Sequence, residues 1–220
     1  MVAHDLRQPF FAIDGFSGLL ERSVKHERLQ HYINRIKAGV RPAGELTDAL
    51  LALANLSRVE LRLQEVDLSA QAHGVMDKLR QKDPARACSV HIEPGLRARA
   101  DLALIRLGLE GLLGNAWKFS LGQPCAKISF RLEPPEAHPP GVGSVYVVRD
   151  NGDGFDMVHA DKLFRSFQRL HSQHEFSGAG VDLANVKRVA TRHEGRIWAH
   201  SAPGEGASFF FTLGSSGQQA

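Results

Sequence analysis

A histidine beside a carboxylate near the start of this chain, an asparagine and a lysine three residues apart in its middle, and glycine-spaced aspartates further on could together move a phosphoryl group. In His4-Asp5-Leu6-Arg7-Gln8-Pro9, a neutral imidazole attacks phosphorus well only if one ring nitrogen is free and the other holds its proton against a partner. Asp5 is the adjacent carboxylate, and Gln8, four residues on, shares a helix face with His4. In Asn115-Ala116-Trp117-Lys118-Phe119-Ser120, the Asn115 carbonyl oxygen suits Mg2+, a hard cation, and Lys118 lies on the same helical face to meet phosphate. Asp150-Asn151-Gly152-Asp153-Gly154-Phe155 alone is a common turn. It is not a calcium loop, because Gly152 occupies the third ligand position. Gly178-Ala179-Gly180 precedes a helix and offers amides where anions bind. Leu183 stands where a dinucleotide fingerprint needs its third glycine, which excludes that motif.

The elements that must position these residues are legible as periodicities. Leu6, Phe10, Ile13, Phe16 and Leu20 form a helical stripe, with 6, 13 and 20 on a seven-residue repeat, and Leu29, Ile33, Ile36, Val40, Leu46, Leu50 and Leu53 form a second one, running to about Val59. Joined by a polar turn near Val24–Glu27, they make an antiparallel hairpin. One hairpin cannot bury both stripes, so pairing with a second copy into a four-helix bundle is expected. From the helix cap Asp67-Leu68-Ser69 the pattern mixes. It predicts helices near 69–82, 101–119, 156–164 and 181–193 and strands near 88–93, 127–132, 145–150, 195–201 and 206–213, the last two joined through Pro203-Gly204. Strands interleaved with helices and ending in a hairpin suit a two-layer α/β sandwich. The fold class expected is α+β, with a helical hairpin over 1–66, a sandwich over 67–213 and a polar, disordered tail over 214–220.

Taken together and in this order, the motifs resemble the dimerisation and catalytic core of a sensor histidine kinase of the HisKA class, closest to its phytochrome-like members, and the resemblance runs from His4 to Leu213. It implies a sandwich of the histidine kinase/gyrase/Hsp90 ATPase type. It implies that His4 is the phosphoacceptor, that Asp5 is its orienting base, and that Gln8 positions a water for dephosphorylating the acceptor partner. Asn115 and Lys118 match the N box, holding Mg2+ and phosphate. Asp150 accepts from the adenine amino group, while Gly152 and Gly154 let backbone approach the nucleotide. Phe164 to His171 resembles the aromatic box opening a lid over ATP, with Arg169 steadying the γ-phosphate, and Gly178 and Gly180 close that lid. The implied reaction is ATP-dependent autophosphorylation of His4, then transfer to a response regulator's aspartate. The implied assembly is a homodimer fed by a sensor domain outside this sequence.

Two positions depart from the family pattern. Asp182 stands where glycine is usual, and Gly111 where asparagine is usual. A carboxylate about 4 Å from a phosphate repels it by roughly 1 kcal/mol in water and about 4 at an effective dielectric of 20. Weakened nucleotide binding is therefore expected. The alternative to an active kinase is a degenerate core that docks a regulator or acts as its phosphatase. Gly111 also occupies the place where gyrase- and Hsp90-type ATPases carry their water-activating carboxylate, which disfavours ATP hydrolysis by water. At 220 residues, 43% apolar and 23% charged, with a net charge of +3 spread without blocks, the composition is that of a globular chain and not of a nucleic-acid binder. No apolar run spans a membrane and no secretory signal is legible, so cytoplasmic location is expected. Cys88 and Cys125 read as free thiols, and His171 and His174 lack a second ligand pair for zinc.

Overall fold

The computed structural model describes residues 2–24, 26–56, 60–138, 143–164 and 182–214; of these, the side chains of 2–9, 11, 41–43, 45–46, 48–56, 159 and 161–162 are not described. The chain divides into two compact units, one holding residues 1–59 and one beginning at Glu60. The first is the expected hairpin. Helix α1 (Val2–Ser23) and helix α2 (Glu27–Leu56) pack side by side. Val24 N–H donates to the Leu20 carbonyl, and Lys37 Nζ meets Glu21 Oε2 at 2.6 Å across the pair. Ile33 is buried, yet Ile13, Phe16, Leu20, Leu29, Tyr32 and Ile36 stay exposed on this unit.

The second unit carries two sheets. β1 (Leu63–Asp67) and β3 (Arg97–Asp101) form an antiparallel pair. The main sheet runs β2 (Cys88–Ile92), β4 (Ala126–Leu132), β5 (Val145–Asp150), β7 (Ala207–Thr212), β6 (Ile197–Ser201), with only β2–β4 parallel. Residues 60–66 go with the sheets because the β1 backbone is paired to β3. Helices α3 (Leu68–Lys82), α4 (Leu102–Phe119), the short α5 (Ala160–Leu163) and α6 (Asp182–Arg192) complete it. This is the expected α+β architecture, a hairpin followed by a helix layer on a sheet. Asp67 caps α3 as its position foretold, accepting from Ala70 N–H at 2.8 Å.

The β1–β3 pair was not foreseen. Arg97-Ala98-Arg99-Ala100-Asp101 has no branched or aromatic residue, and β1 buries only Val66. Its register therefore left no hydrophobic alternation to read. Elsewhere the layers follow their apolar faces. Leu109, Leu112, Val186, Val189 and Phe211 line a seam between α4, α6 and the sheet that retains only about 10 Å³ of empty space, which is close packing of the native kind. Aromatic stacking of Phe130, Tyr146 and Phe211 extends this layer across three strands.

Candidate functional site

Helix α4 positions the polar side chains by burying its opposite edge. Asp101 caps it, its carboxylate accepting from Ala103 and Leu104 N–H at 3.0 and 3.2 Å. Leu104, Ile105, Leu109, Leu112, Leu113 and Ala116 then sink into the core at helical spacing. Asn115 falls on the shoulder of that stripe, buried but next to a recess, and Lys118 lies one turn on. α6 closes the other side. Asn115, Lys118, Gly111, Asp182 and Asn185 together line a pocket of about 280 Å³.

Gly111 explains how α6 comes so near. A Cβ at this position would stand 2.9 Å from Val186 Cγ2 and 3.2 Å from the Asp182 carbonyl oxygen, so a side chain here would force the helices apart. The bare face at Gly111 is thus what admits Val186 and the Asp182 backbone, the first described residue of α6, so close to α4. Burial in the pocket wall raises the Asp182 carboxyl above its ordinary range, with Lys118 drawing it back down.

At the far end of α4 stands the turn after β5. Asp150 Oδ1 accepts from Gly152 N–H at 2.9 Å and from Ala207 N–H at 3.3 Å. Burial outweighs these bonds, and Asp153 adds repulsion, so the Asp150 carboxyl is pushed up to about 6. Asn151 is structural: its Oδ1 accepts from Lys127 N–H at 2.7 Å and its Nδ2 donates to the Cys125 carbonyl at 3.1 Å. The glycines are demanded by the protein's own packing. A Cβ on Gly152 would overlap the Phe119 carbonyl, and Gly154, at φ +63°, would meet the Ala202 carbonyl. Because Gly152 sits on Phe119, four residues past Asn115, Asp150's turn lies about 6 Å further along the α4 axis than Asn115.

Asn115, Lys118, Asp150, Gly152 and Gly154 are thus gathered at one end of the second unit. Phe164, which opens the expected aromatic box, packs edge-on against Phe209 with ring centroids 6.5 Å apart. His4, Asp5 and Gln8 lie in α1, their side chains outside the described residues, as are Arg169, Gly178, Gly180 and the tail 215–220. Sequence reasoning missed Asn185, which is 7% exposed. Its signal was a polar residue beside the apolar stripe Val186, Val189 and Ala190. Among the described residues no trio of His, Cys, Asp or Glu could hold a metal, and no helix is long and apolar enough to cross a membrane.

Comparison with known proteins accords with this layout. Residues 100–216 match the family model described as histidine kinase-, DNA gyrase B-, and HSP90-like ATPase, and residues 1–58 match the His Kinase A phospho-acceptor domain. Cyanobacterial phytochrome A of Nostoc sp. is 28% identical over 229 residues, which covers 100% of this chain and 28% of that protein. The methanogenesis regulatory histidine kinase FilI of Methanothrix harundinacea is 30% identical over 216 residues, covering 96% of this chain and 24% of its own length. The chain thus spans about a quarter of these curated relatives. The crystal structure of full-length ShkA in complex with AMPPNP shares the fold at a TM-score of 0.67 and 22% identity, over 100% of this chain and 46% of that one. With its sandwich matched over more than half its length and its hairpin matched as a phospho-acceptor domain, the chain belongs to the histidine kinase-, DNA gyrase B-, and HSP90-like ATPase family and is a histidine kinase core of the HisKA class.

Proposed function

We propose that this core binds Mg-ATP in its second unit, transfers the γ-phosphoryl group to His4, and passes it to an aspartate of a response regulator. The observation that carries the reading is the placing of Asn115 and Lys118 in one pocket, with the turn after Asp150 packed against Phe119 at the end of the same helix. In this reading Asp150 accepts from the adenine amino group and Lys118 faces the phosphates. Asn115 would hold Mg2+ through its carbonyl oxygen, and the amide and carboxylate oxygens that line its pocket are donors that cation takes. When bound, the metal offsets phosphate charge. Arg169, Gly178 and Gly180 complete the phosphate contacts.

Transfer then needs positioning more than covalent machinery. The lone pair of the neutral His4 imidazole forms the N–P bond as the bond from the γ-phosphorus to the bridging oxygen breaks, ADP leaves, and Asp5 accepts the proton from the ring's other nitrogen, which returns the phosphorylated ring to neutrality. Gln8 orients water in the reverse, dephosphorylating role on the regulator. A homodimer through the helical hairpin supplies the assembly, with the sheet-bearing unit that begins at Glu60 as the ATP-binding domain.

A second reading is a regulator-docking or phosphatase core with weak nucleotide binding. It is favoured by the Asp182 carboxylate standing in the pocket that Lys118 lines. Incubation with radiolabelled ATP decides between them. The kinase reading expects acid-labile, base-stable label that His4→Gln removes while ATP affinity is unchanged. Label persisting in that variant overturns the His4 assignment. Absence of label from wild type, alongside accelerated regulator dephosphorylation, establishes the second reading.

A further inference from the structure

The nucleotide reading leaves Asn185 without a role. It lies on the buried side of α6 at 7% exposure, lines the pocket, and its Oδ1 is buried with no hydrogen-bond partner. An orphaned buried amide oxygen is costly, and a site that keeps one is a site with something to receive. Asp182, three residues earlier, shares the same side of the helix. Across the pocket stands Asn115, itself 8% exposed. These three side chains present oxygen, with no thiol or imidazole among the pocket's lining residues. Hard, oxygen-preferring divalent cations take such a donor set, completing their shell with water.

We propose that Asp182, Asn185 and Asn115 form a divalent-cation site that holds Mg2+ or Mn2+ even before nucleotide binds. This rests on the proposed reading for Asn115 alone; Asp182 and Asn185 are the new ligands. The close packing of α6 on Gly111 carries both of them to the pocket wall. Two other charges face the site. Lys118 opposes the cation and, without it, is the counter-charge of Asp182. Glu110, on the rim, assists the cation while also meeting Lys78 at 3.7 Å and Arg106 at 3.5 Å. Asp182 therefore acts with opposite signs in two states. Without metal its charge repels a polyphosphate; with metal it draws in the cation that the polyphosphate needs.

The test uses the full chain and Mn2+ alone, read by electron paramagnetic resonance and calorimetry with no nucleotide present. Wild type is expected to bind one Mn2+, Asp182→Gly to bind it at least tenfold more weakly, and Asn185→Leu several-fold more weakly with the melting temperature unchanged or raised. Asp182→Asn, which keeps the shape and drops the charge, covers the case in which glycine loosens the start of α6. A parallel ATP titration reads the sign change. Asp182→Gly should bind ATP more tightly than wild type in chelator, and lose that advantage in millimolar Mg2+. Unaltered Mn2+ affinity in both Asp182 variants, or no Mn2+ binding by wild type while ATP binds, overturns the cation site and leaves the nucleotide reading standing. Mn2+ binding by wild type without any ATP binding does the reverse.

Discussion

At the scale of single residues, the group most open to test is Asp150. Its carboxyl is pushed up to about 6, from an ordinary 3.8, by burial first and by Asp153 second. In the proposed function the ionised form accepts from adenine, so binding is present above pH 6 and lost as the pH falls through it, about tenfold per unit below. Adenosine is the ligand to use, because it has no phosphate of its own to titrate. Calorimetry across about pH 5 to 7 should show that slope in wild type and none in Asp150→Asn; a flat wild-type profile sinks the assignment. Stability carries the opposite sign. The folded state holds the Asp150 proton more tightly than the unfolded chain does, so this group's contribution to stability grows as pH drops from about 6 toward 3.8. Asp150 could be picked out in the sequence because strand, turn and glycines mark it together. Asn185 could not, since one asparagine beside a valine stripe reads as a helix's wet edge until α4 is set against it.

At the scale of elements, the contact between α4 and α6 makes a prediction with two signs on one helix. Gly114 has nothing within 4 Å of an added Cβ, so Gly114→Ala should stabilise by up to about 1 kcal/mol through helix propensity alone. Gly111→Ala makes the same gain but presses on Val186 at 2.9 Å and on the Asp182 carbonyl. Overpacking of this kind costs roughly 1–3 kcal/mol, so the net change should be destabilising by about 1 kcal/mol. Val186→Ala in the same chain should recover part of that loss, giving a non-zero coupling in a double-mutant cycle. Denaturant melts of the four chains measure it; a stabilised Gly111→Ala would mean that α6 sits further out. Most elements were legible because each carries its own stripe or alternation. α4 is bracketed by a capping Asp101 and by Ser120, whose buried hydroxyl bonds back to the Ala116 carbonyl at 2.6 Å. The β1–β3 pair was hidden for the converse reason: Arg97 and Arg99 face solvent and only Ala100 is buried, so pairing to a distant strand, not local pattern, makes β3 a strand.

At the scale of the whole molecule, the two units bury their apolar residues to very different degrees. The sheet-bearing unit hides Phe130, Leu109, Leu112, Leu113 and Val147 almost completely. The hairpin leaves Phe16 at 67%, Leu20 at 51% and Leu29 at 48% exposure, on stripes that the sequence spaces for burial. Exposed apolar residues at that helical spacing mark an association site. Seven-residue spacing through Ile13 and Leu20 suits a helix of another copy, with two hairpins closing a four-helix bundle about a twofold axis. The chain should therefore scatter light at micromolar concentration as a particle of about twice 24.1 kDa. Phe16→Glu with Leu20→Glu places two charges in the seam of each copy, four in the bundle, and should yield the 24.1 kDa monomer. The melt of the second unit should not move, since those residues lie in the other compact unit. Loss of helical signal in the double variant would accompany the monomer, because a lone amphipathic hairpin draws most of its helicity from tertiary burial. A wild-type chain that runs as a monomer with its hairpin still helical would show that the exposed stripe is covered by something other than a second copy, and the homodimer would fall with it.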